Sequence, residues 1–286
     1  MISVIMSAYK AEDTIETAIN SVLNQTYKNW ELIIVVDSSP DNTLNLAKQY
    51  SSTDKRIKVI NNSENLGAGM SRRIGLQNID NSTEYTSFLD SDDYYENNYL
   101  QTLYDEALRT EADLVQSGII FRNNGCDTIK KPVLEVVTGD KKKNKNSDIS
   151  HFLVSYLIKR DLWDKVEYSS RRYIEDSPTL LQLIYYANII SYINYAGYYY
   201  IQNKDSLIHA SSDIKNCIYL LLHCISTYLF GIKVNSDDIA NTAITCFEDN
   251  LYKLKCYQDS PNYTEEISLY KDEILEIFNF ALKYET

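Results

Sequence analysis

The 286-residue sequence predicts an α/β fold on a largely parallel sheet, followed by a helical C-terminal region. Three observations carry this expectation. Short apolar runs alternate with helix-period segments through the first 95 residues. The runs Ile2–Ala8 and Trp30–Val36 are mostly apolar and β-branched, as strands covered on both faces are. Polar residues gather where such runs end: Ser7 and Tyr9 after the first, Asp37 after the second, Asp90 and Asp92 after the run 86–89. Ligands of parallel sheets bind outside the carboxyl ends of the strands, so these positions predict a nucleotide or phosphate site on one sheet edge.

The elements follow in chain order. Residues 2–8 read as a buried strand, and 12–24 carry Ile15, Ala18, Ile19, Val22 and Leu23 at helical spacing. The second strand, 30–36, is stopped by the turn cluster 37–41. A helix over 43–50, a strand over 57–60 and a helix from about 65 to 79 lead to the fourth strand, 86–89. A helix over 97–109 comes next. Strands at 112–121 and 127–137 are joined at Asn123-Asn124-Gly125, a hairpin signal. The basic stretch 139–146 reads as a solvated loop or an acceptor-contacting lid. After a helix ending near Ala187, the tyrosine-rich stretch 188–202 reads as a late strand or hairpin. From 211 to 286 the pattern is helical. Ile218, Leu221, Leu222 and Ile225 form one apolar stripe, and Leu269, Ile274, Ile277, Phe278 and Leu282 another. Cys217 and Cys224 share a face and belong to the core.

Bulk properties narrow the function. A net charge of -12 argues against nucleic acid as a partner and against residence on an anionic membrane. No run approaches the roughly 18 apolar residues of a spanning helix. Met1 leads straight into a strand pattern with no signal-peptide character. The five cysteines form no C-x-x-C pair, which suits a reducing compartment. A cytoplasmic enzyme is the expectation. The 25 tyrosines read as compositional drift. Gly67-Ala68-Gly69 is no dinucleotide fingerprint, because it comes late and position 72 is Arg72, and a Walker A motif is absent.

The stretch Asp90-Ser91-Asp92-Asp93 places three carboxylates within four positions. On an extended strand, period 2 points Asp90 and Asp92 the same way, and such a pair repels itself unless a cation intervenes. Oxygen ligands of this kind suit Mg²⁺ or Mn²⁺ with a substrate's phosphates completing the shell. The competing reading is an Asp-rich turn capping the next helix.

Several motifs together resemble glycosyltransferase family 2: Ser-Ala-Tyr-Lys at 7–10, Ser-Val-Leu-Asn-Gln-Thr-Tyr at 21–27, Glu-Leu-Ile-Ile-Val-Val-Asp at 31–37, Asp41-Asn42-Thr43, Asn65-Leu66-Gly67, Ser71-Arg72-Arg73 and Phe88 to Asp93. The resemblance implies a GT-A fold, with a Rossmann-like sheet flanked by helices, and inverting transfer from a nucleotide-diphosphate sugar. It implies that Ser7 and Tyr9 line the nucleoside pocket and that Asp37 accepts from the uracil N3–H. Arg72 then meets the nucleotide or its phosphates, Asp90 the ribose hydroxyls or the metal, and Asp92 the Mn²⁺ or Mg²⁺ itself. Asp93 caps the following helix. The segment 172–177 resembles the family's Glu-Asp pair, which makes Asp176 the general base; as residues of a helix's first turn, Glu175 and Asp176 also suit its dipole.

Two departures stand out. The family usually shows two acids where this chain has Val36-Asp37, and it commonly places arginines where Ile201 and Asn203 stand, leaving the metal, Lys204 or another group to grip the diphosphate. His209 reads as structural, and the role of Arg73 stays open. The expected organisation is a catalytic domain over 1–210, with a nucleotide-sugar half (1–95) and an acceptor half (96–210), then a helical region over 211–286. The expected activity is metal-dependent transfer from a UDP-sugar to an acceptor hydroxyl in bacterial surface glycan or glycoprotein synthesis. The acceptor is a lipid-linked glycan, a polysaccharide precursor or a glycoprotein, and the C-terminal helices serve acceptor recognition or homodimerisation. The alternatives are a catalytically inactive relative acting as a binding or partner subunit, and a sugar nucleotidyltransferase. The second lacks its glycine-rich basic signature in residues 7–13.

Overall fold

The computed structural model describes residues 1–123, 125–133, 135–138, 152–166, 168, 176–202, 213–257 and 268–284. The basic loop 139–146 and residues Arg172, Glu175, Asn203, Lys204 and His209 lie outside the described residues. The chain divides into two compact units, Met1–Asn203 and Lys204–Thr286. Among the described residues no helix is long and apolar enough to cross a membrane.

Four strands of the first unit run parallel in the spatial order β3-β2-β1-β4: β1 (Ile2–Ala8), β2 (Trp30–Val36), β3 (Ile57–Asn61) and β4 (Tyr85–Asp90). β1 and β2 are buried almost throughout, which is why their sequences run apolar on both faces. Register aligns the strand ends: Ser7 lies opposite both Val35 and Asp90, and Ala8 opposite Val36. The connecting helices are α1 (Ile15–Leu23), α2 (Thr43–Thr53) and α3 (Ala68–Gln77). α1 buries Ile15, Ala18, Ile19 and Val22, the residues whose spacing predicts it.

The second half of the sheet is mixed. After the two-residue β5 (Tyr94–Tyr95) and α4 (Tyr99–Thr110) come β6 (Leu114–Asn123), β7 (Cys126–Lys130), β8 (Glu135–Thr138), β9 (Tyr156–Lys159), α5 (Asp176–Tyr186) and β10 (Ile189–Ile201). β9 inserts antiparallel between β4 and β6, while β10 runs parallel to β6 and carries β5 on its far side. The stretch 127–137 is therefore two strands: β7 pairs with β6, and β8 with β10. Pro132 lies between them and has no N–H to continue a ladder. The hairpin signal holds, with Asn123 opposite Cys126. The stretch 188–202 is one long strand with register shifts near Ala196.

The second unit contains α6 (Asp213–Lys233), α7 (Asp237–Cys256) and α8 (Lys271–Tyr284). Its interior holds Cys217, Ile218, Leu221, Leu222, Cys224 and Ile225 from α6, with Phe247 and Ile277. The second predicted stripe is only partly right, since Leu269 is 72% exposed.

Candidate active site

The β1 and β2 loops are stitched together by short polar side chains. The Lys10 amide donates to Ser39 Oγ (2.8 Å), the Ala11 amide to Thr43 Oγ1 (2.9 Å) and the Glu12 amide to Asp41 Oδ2 (3.1 Å). Asp41 also accepts from Ser39 Oγ, Thr43 Oγ1 and the Thr43 amide. Burial works against the Asp41 charge, but these donors prevail and hold its carboxyl down to about 2. Lys10 and Ser38 take left-handed backbone conformations (φ 51° and 53°), each just past the end of a strand. Ser7 is half-buried at the sheet edge, and Tyr9 is 44% exposed at its rim.

Asp37, expected to accept from a base, also organises the loop that follows β3. Its carboxylate is buried: Oδ1 accepts from Asn62 Nδ2 (2.7 Å) and the Leu66 amide (2.9 Å), and Oδ2 from the Gly67 amide (2.7 Å). Gly67 sits at φ 88°, a conformation glycine adopts without strain, and caps α3. A carboxylate at a helix N-terminus, fed by two amides, is electrostatically satisfied. Asn62 Nδ2 also reaches Ser71 Oγ (3.1 Å), the residue before Arg72, so Asp37 is tied to Arg72 through the fold.

Arg72 is the centre of the site. A Cβ on Gly75 would fall 2.4 Å from Ile5 Cγ2, so α3 lies close against β1 there. Arg72 is one turn earlier on that face and is 5% exposed. Its Nη2 donates to Asp90 Oδ1 (2.6 Å) and its Nη1 to Asp176 Oδ1 (2.8 Å). Asp176 is the first residue of α5, where a carboxylate suits the helix dipole. Its side chain keeps 21% exposure. Burial pushes its carboxyl up, Arg72 pulls it down, Asp90 pushes it up, and the Leu153 amide lowers it; the net direction is upward.

Alternation along a strand is not what brings Asp90 and Asp92 together. β4 ends at Asp90, and a turn closed by the Asp93 amide on Asp90 O (3.1 Å) carries Asp92. Asp92 is exposed on its outer side, yet the protein packed around it and then the Asp90 charge push its carboxyl up to about 6. Asp93 does not cap α4. It is buried, accepting from Tyr198 Oη (2.6 Å) and the Ile201 amide (2.7 Å), and the Tyr198 hydroxyl also accepts from the Asp90 amide (3.3 Å). Burial and then the Asp93 and Asp90 charges hold the Tyr198 hydroxyl far above its ordinary range, so it stays a donor. The 90–93 turn is thus bolted to β10, and position 201 contributes through its backbone where the family has an arginine.

The structure therefore brings Arg72, Asp90 and Asp176 into contact, with Ser7 level with Asp90 across the sheet and Asp92 in the adjoining turn. Tyr9 touches none of them, and Arg73 is exposed. Sequence reasoning missed Asn62 and Tyr198. Three of the tyrosines it set aside form a buried cluster, in which Tyr95 stacks on Tyr99 and meets Tyr198 edge-on. Among the described residues no group of three or more His, Cys, Asp or Glu side chains is arranged to hold a metal unaided.

Residues 3–164 match the profile of Glycosyl transferase family 2. The chain belongs to that family. The uncharacterized glycosyltransferase EpsJ of Bacillus subtilis is 29% identical over 218 residues, covering 72% of this chain and 62% of EpsJ. This chain thus spans less than two thirds of that relative. The Escherichia coli protein WfgD, a UDP-Glc:α-D-GlcNAc-diphosphoundecaprenol β-1,3-glucosyltransferase, is 37% identical over 124 residues, 43% of this chain and 47% of WfgD. Residues 1–349 of S. aureus TarS, solved with UDP-GlcNAc, align with a TM-score of 0.69 at 20% identity, covering 96% of this chain and 79% of that one. The GT-A fold is thereby shown.

Proposed function

We propose that this chain moves a sugar from a UDP-sugar to an acceptor hydroxyl, with inversion, during assembly of a bacterial surface glycan or glycoprotein. One observation carries the reading: the Arg72 fork held between Asp90 and Asp176 at the carboxyl edge of the sheet, with Asp92 in the next turn. A UDP donor is supported by TarS, solved with UDP-GlcNAc, and by WfgD, named for UDP-Glc. The WfgD name also supports a lipid-linked acceptor. The activity, substrates and partners of the whole protein belong to this proposal, as does its placement in the cytoplasm.

The nucleoside would lie over Ser7 and Tyr9, against the loop that Asp37 folds. Arg72 would turn its donors to the diphosphate, where a planar fork suits phosphate oxygens. Asp176 would take the proton of the acceptor hydroxyl as its oxygen bonds to the anomeric carbon. The bond from that carbon to the donor's phosphate oxygen breaks, and its electron pair leaves with UDP. One displacement inverts the centre, so no enzyme nucleophile is needed.

The donor set fits a divalent ion. Asp90 and Asp92 offer carboxylate oxygens; burial and then the Asp90 charge push the Asp92 carboxyl up, and a cation relieves the like-charge part of that push. Two carboxylates with substrate phosphates and water are a usual Mg²⁺ or Mn²⁺ environment. When bound, the ion would neutralise charge on the departing diphosphate.

The test is UDP release from a panel of UDP-sugars, with and without Mn²⁺, by the wild type and Asp92→Ala. Metal-dependent turnover of one sugar, lost in the variant, is expected. UDP binding without turnover of any donor, even with acceptor lipids supplied, would favour the non-catalytic reading; no UDP binding at all would overturn the donor assignment.

A further inference from the structure

Among the described residues Arg72 pairs with two carboxylates before any donor is present. The guanidinium is buried and anchored by the close contact of α3 on β1, so it cannot follow a ligand outward. Its two carboxylate partners are not held equally. Asp90 ends a strand that is hydrogen-bonded in register to β1, and its amide is pinned by the Tyr198 hydroxyl. Asp176 opens α5, outside the β1–β4 ladder; its side chain is 21% exposed against 28% for Asp90, and its carboxyl also accepts from the Leu153 amide. A diphosphate arriving at this fork adds an anion to a cation already paired with carboxylates, and the exchange falls to Asp176, which lies outside the β1–β4 ladder.

We infer that Arg72 is a positioning residue that couples donor binding to the base: it holds Asp176 until a nucleoside diphosphate takes over its guanidinium, and only then is Asp176 released to the acceptor hydroxyl. This rests on the donor reading above and adds an order of events to it. A carboxylate neutralised by a guanidinium is a weak proton acceptor, and the same carboxylate without its counter-ion is a stronger one. The exchange leaves every covalent bond intact and moves no proton by itself. Its consequence is that the base is armed only in the donor-bound state.

The two roles of Asp176 predict different binding behaviour. A base that merely waits leaves UDP affinity unchanged when it is removed. A base that competes for Arg72 weakens UDP binding, so Asp176→Asn is expected to bind UDP about fivefold tighter, the size of one half-buried ion pair. General charge repulsion would also tighten binding, and a double-mutant cycle separates the two. UDP affinity is measured by calorimetry with Mn²⁺ for the wild type, Asp176→Asn, Arg72→Lys and the double variant, each with a thermal unfolding curve. Lysine keeps the charge but lacks the planar fork whose Nη1 and Nη2 hold the two carboxylates in this geometry. Coupling predicts that the fivefold gain shrinks to less than twofold in the Arg72→Lys background. An unchanged or weakened affinity in Asp176→Asn would overturn the inference, and so would a gain of equal size in both backgrounds. If the wild type binds no nucleoside diphosphate, the donor assignment falls and the coupling with it. Binding without coupling removes only the coupling.

Discussion

The two edges of the parallel sheet treat buried charge in opposite ways. At the amino edge Glu31 is 4% exposed and fully answered. Its Oε1 accepts from Ser3 Oγ (2.6 Å) and the Asp80 amide (2.7 Å), and Oε2 pairs with Lys58 Nζ (2.7 Å). At the carboxyl edge, among the described residues, Asp90, Asp92 and Asp176 share the neighbourhood of one guanidinium, and burial pushes the Asp92 and Asp176 carboxyls upward. A fold left to itself saturates its buried charges, as it does at Glu31. A surplus of carboxylate at one edge signals charge that a ligand is meant to complete.

Substitutions on the two edges should therefore have opposite signatures. Asp92→Ala removes an exposed acid to which no other described residue donates a hydrogen bond. Metal-supported turnover of the UDP-sugar is expected to fall on the order of a hundredfold or more, with no loss of thermal stability. Glu31→Ala strips partners from Ser3, the Asp80 amide and Lys58, and should destabilise by about 2–4 kcal/mol in urea unfolding. Its UDP affinity should match the wild type under conditions where both are folded. If Asp92→Ala unfolds the protein, or Glu31→Ala changes UDP affinity in the folded state, the division of labour between the edges is wrong.

Tyr198→Phe sharpens the comparison within the carboxyl edge. The variant deprives buried Asp93 of one donor and the Asp90 amide of its acceptor, while the ring contacts with Tyr95 and Tyr99 persist. A cost of about 1–2 kcal/mol is expected. UDP affinity in Mn²⁺ should also weaken by a few fold, because the 90–93 turn loses its bolt to β10. Stability lost with affinity intact would confine Tyr198 to the core.

The difference between the edges also explains what the sequence disclosed. β1 and β2 were legible because continuous β-branched runs bounded by turn residues have few other uses, and the shared strand edge of Ser7, Asp37 and Asp90 followed from sheet topology. β9 was missed because four residues carry no periodicity, and its antiparallel insertion depends on partners in β4 and β6 far along the chain. The same distance hid Tyr198, whose bond to Asp93 joins residues 105 apart. Asp93 resembled a helix cap because Asp suits caps, and only the tertiary fold makes it a buried acceptor. Asp37 was readable as an important acid. That its partners are Asn62, Leu66 and Gly67 was not, since they come from the next βα loop.

The smallest effect belongs to Asp41, which fastens the β1 and β2 loops without facing the surplus of charge. Its carboxyl is held at about 2 in the fold against about 3.8 when free, so folding favours the ionised form. The sign follows: its contribution is fully present above pH 4, declines as the pH falls from about 4 toward 2, and is absent below. Asp41→Asn keeps the shape and removes the charge, and should cost about 1 kcal/mol at neutral pH, comparable to losing a helix-capping acid. The stability difference between wild type and variant, followed by urea unfolding from pH 7 downward, should close as the pH drops through this window. A gap that stays constant down to the acid limit of folding would mean that the carboxylate charge contributes nothing there and the side-chain shape alone holds the two loops together.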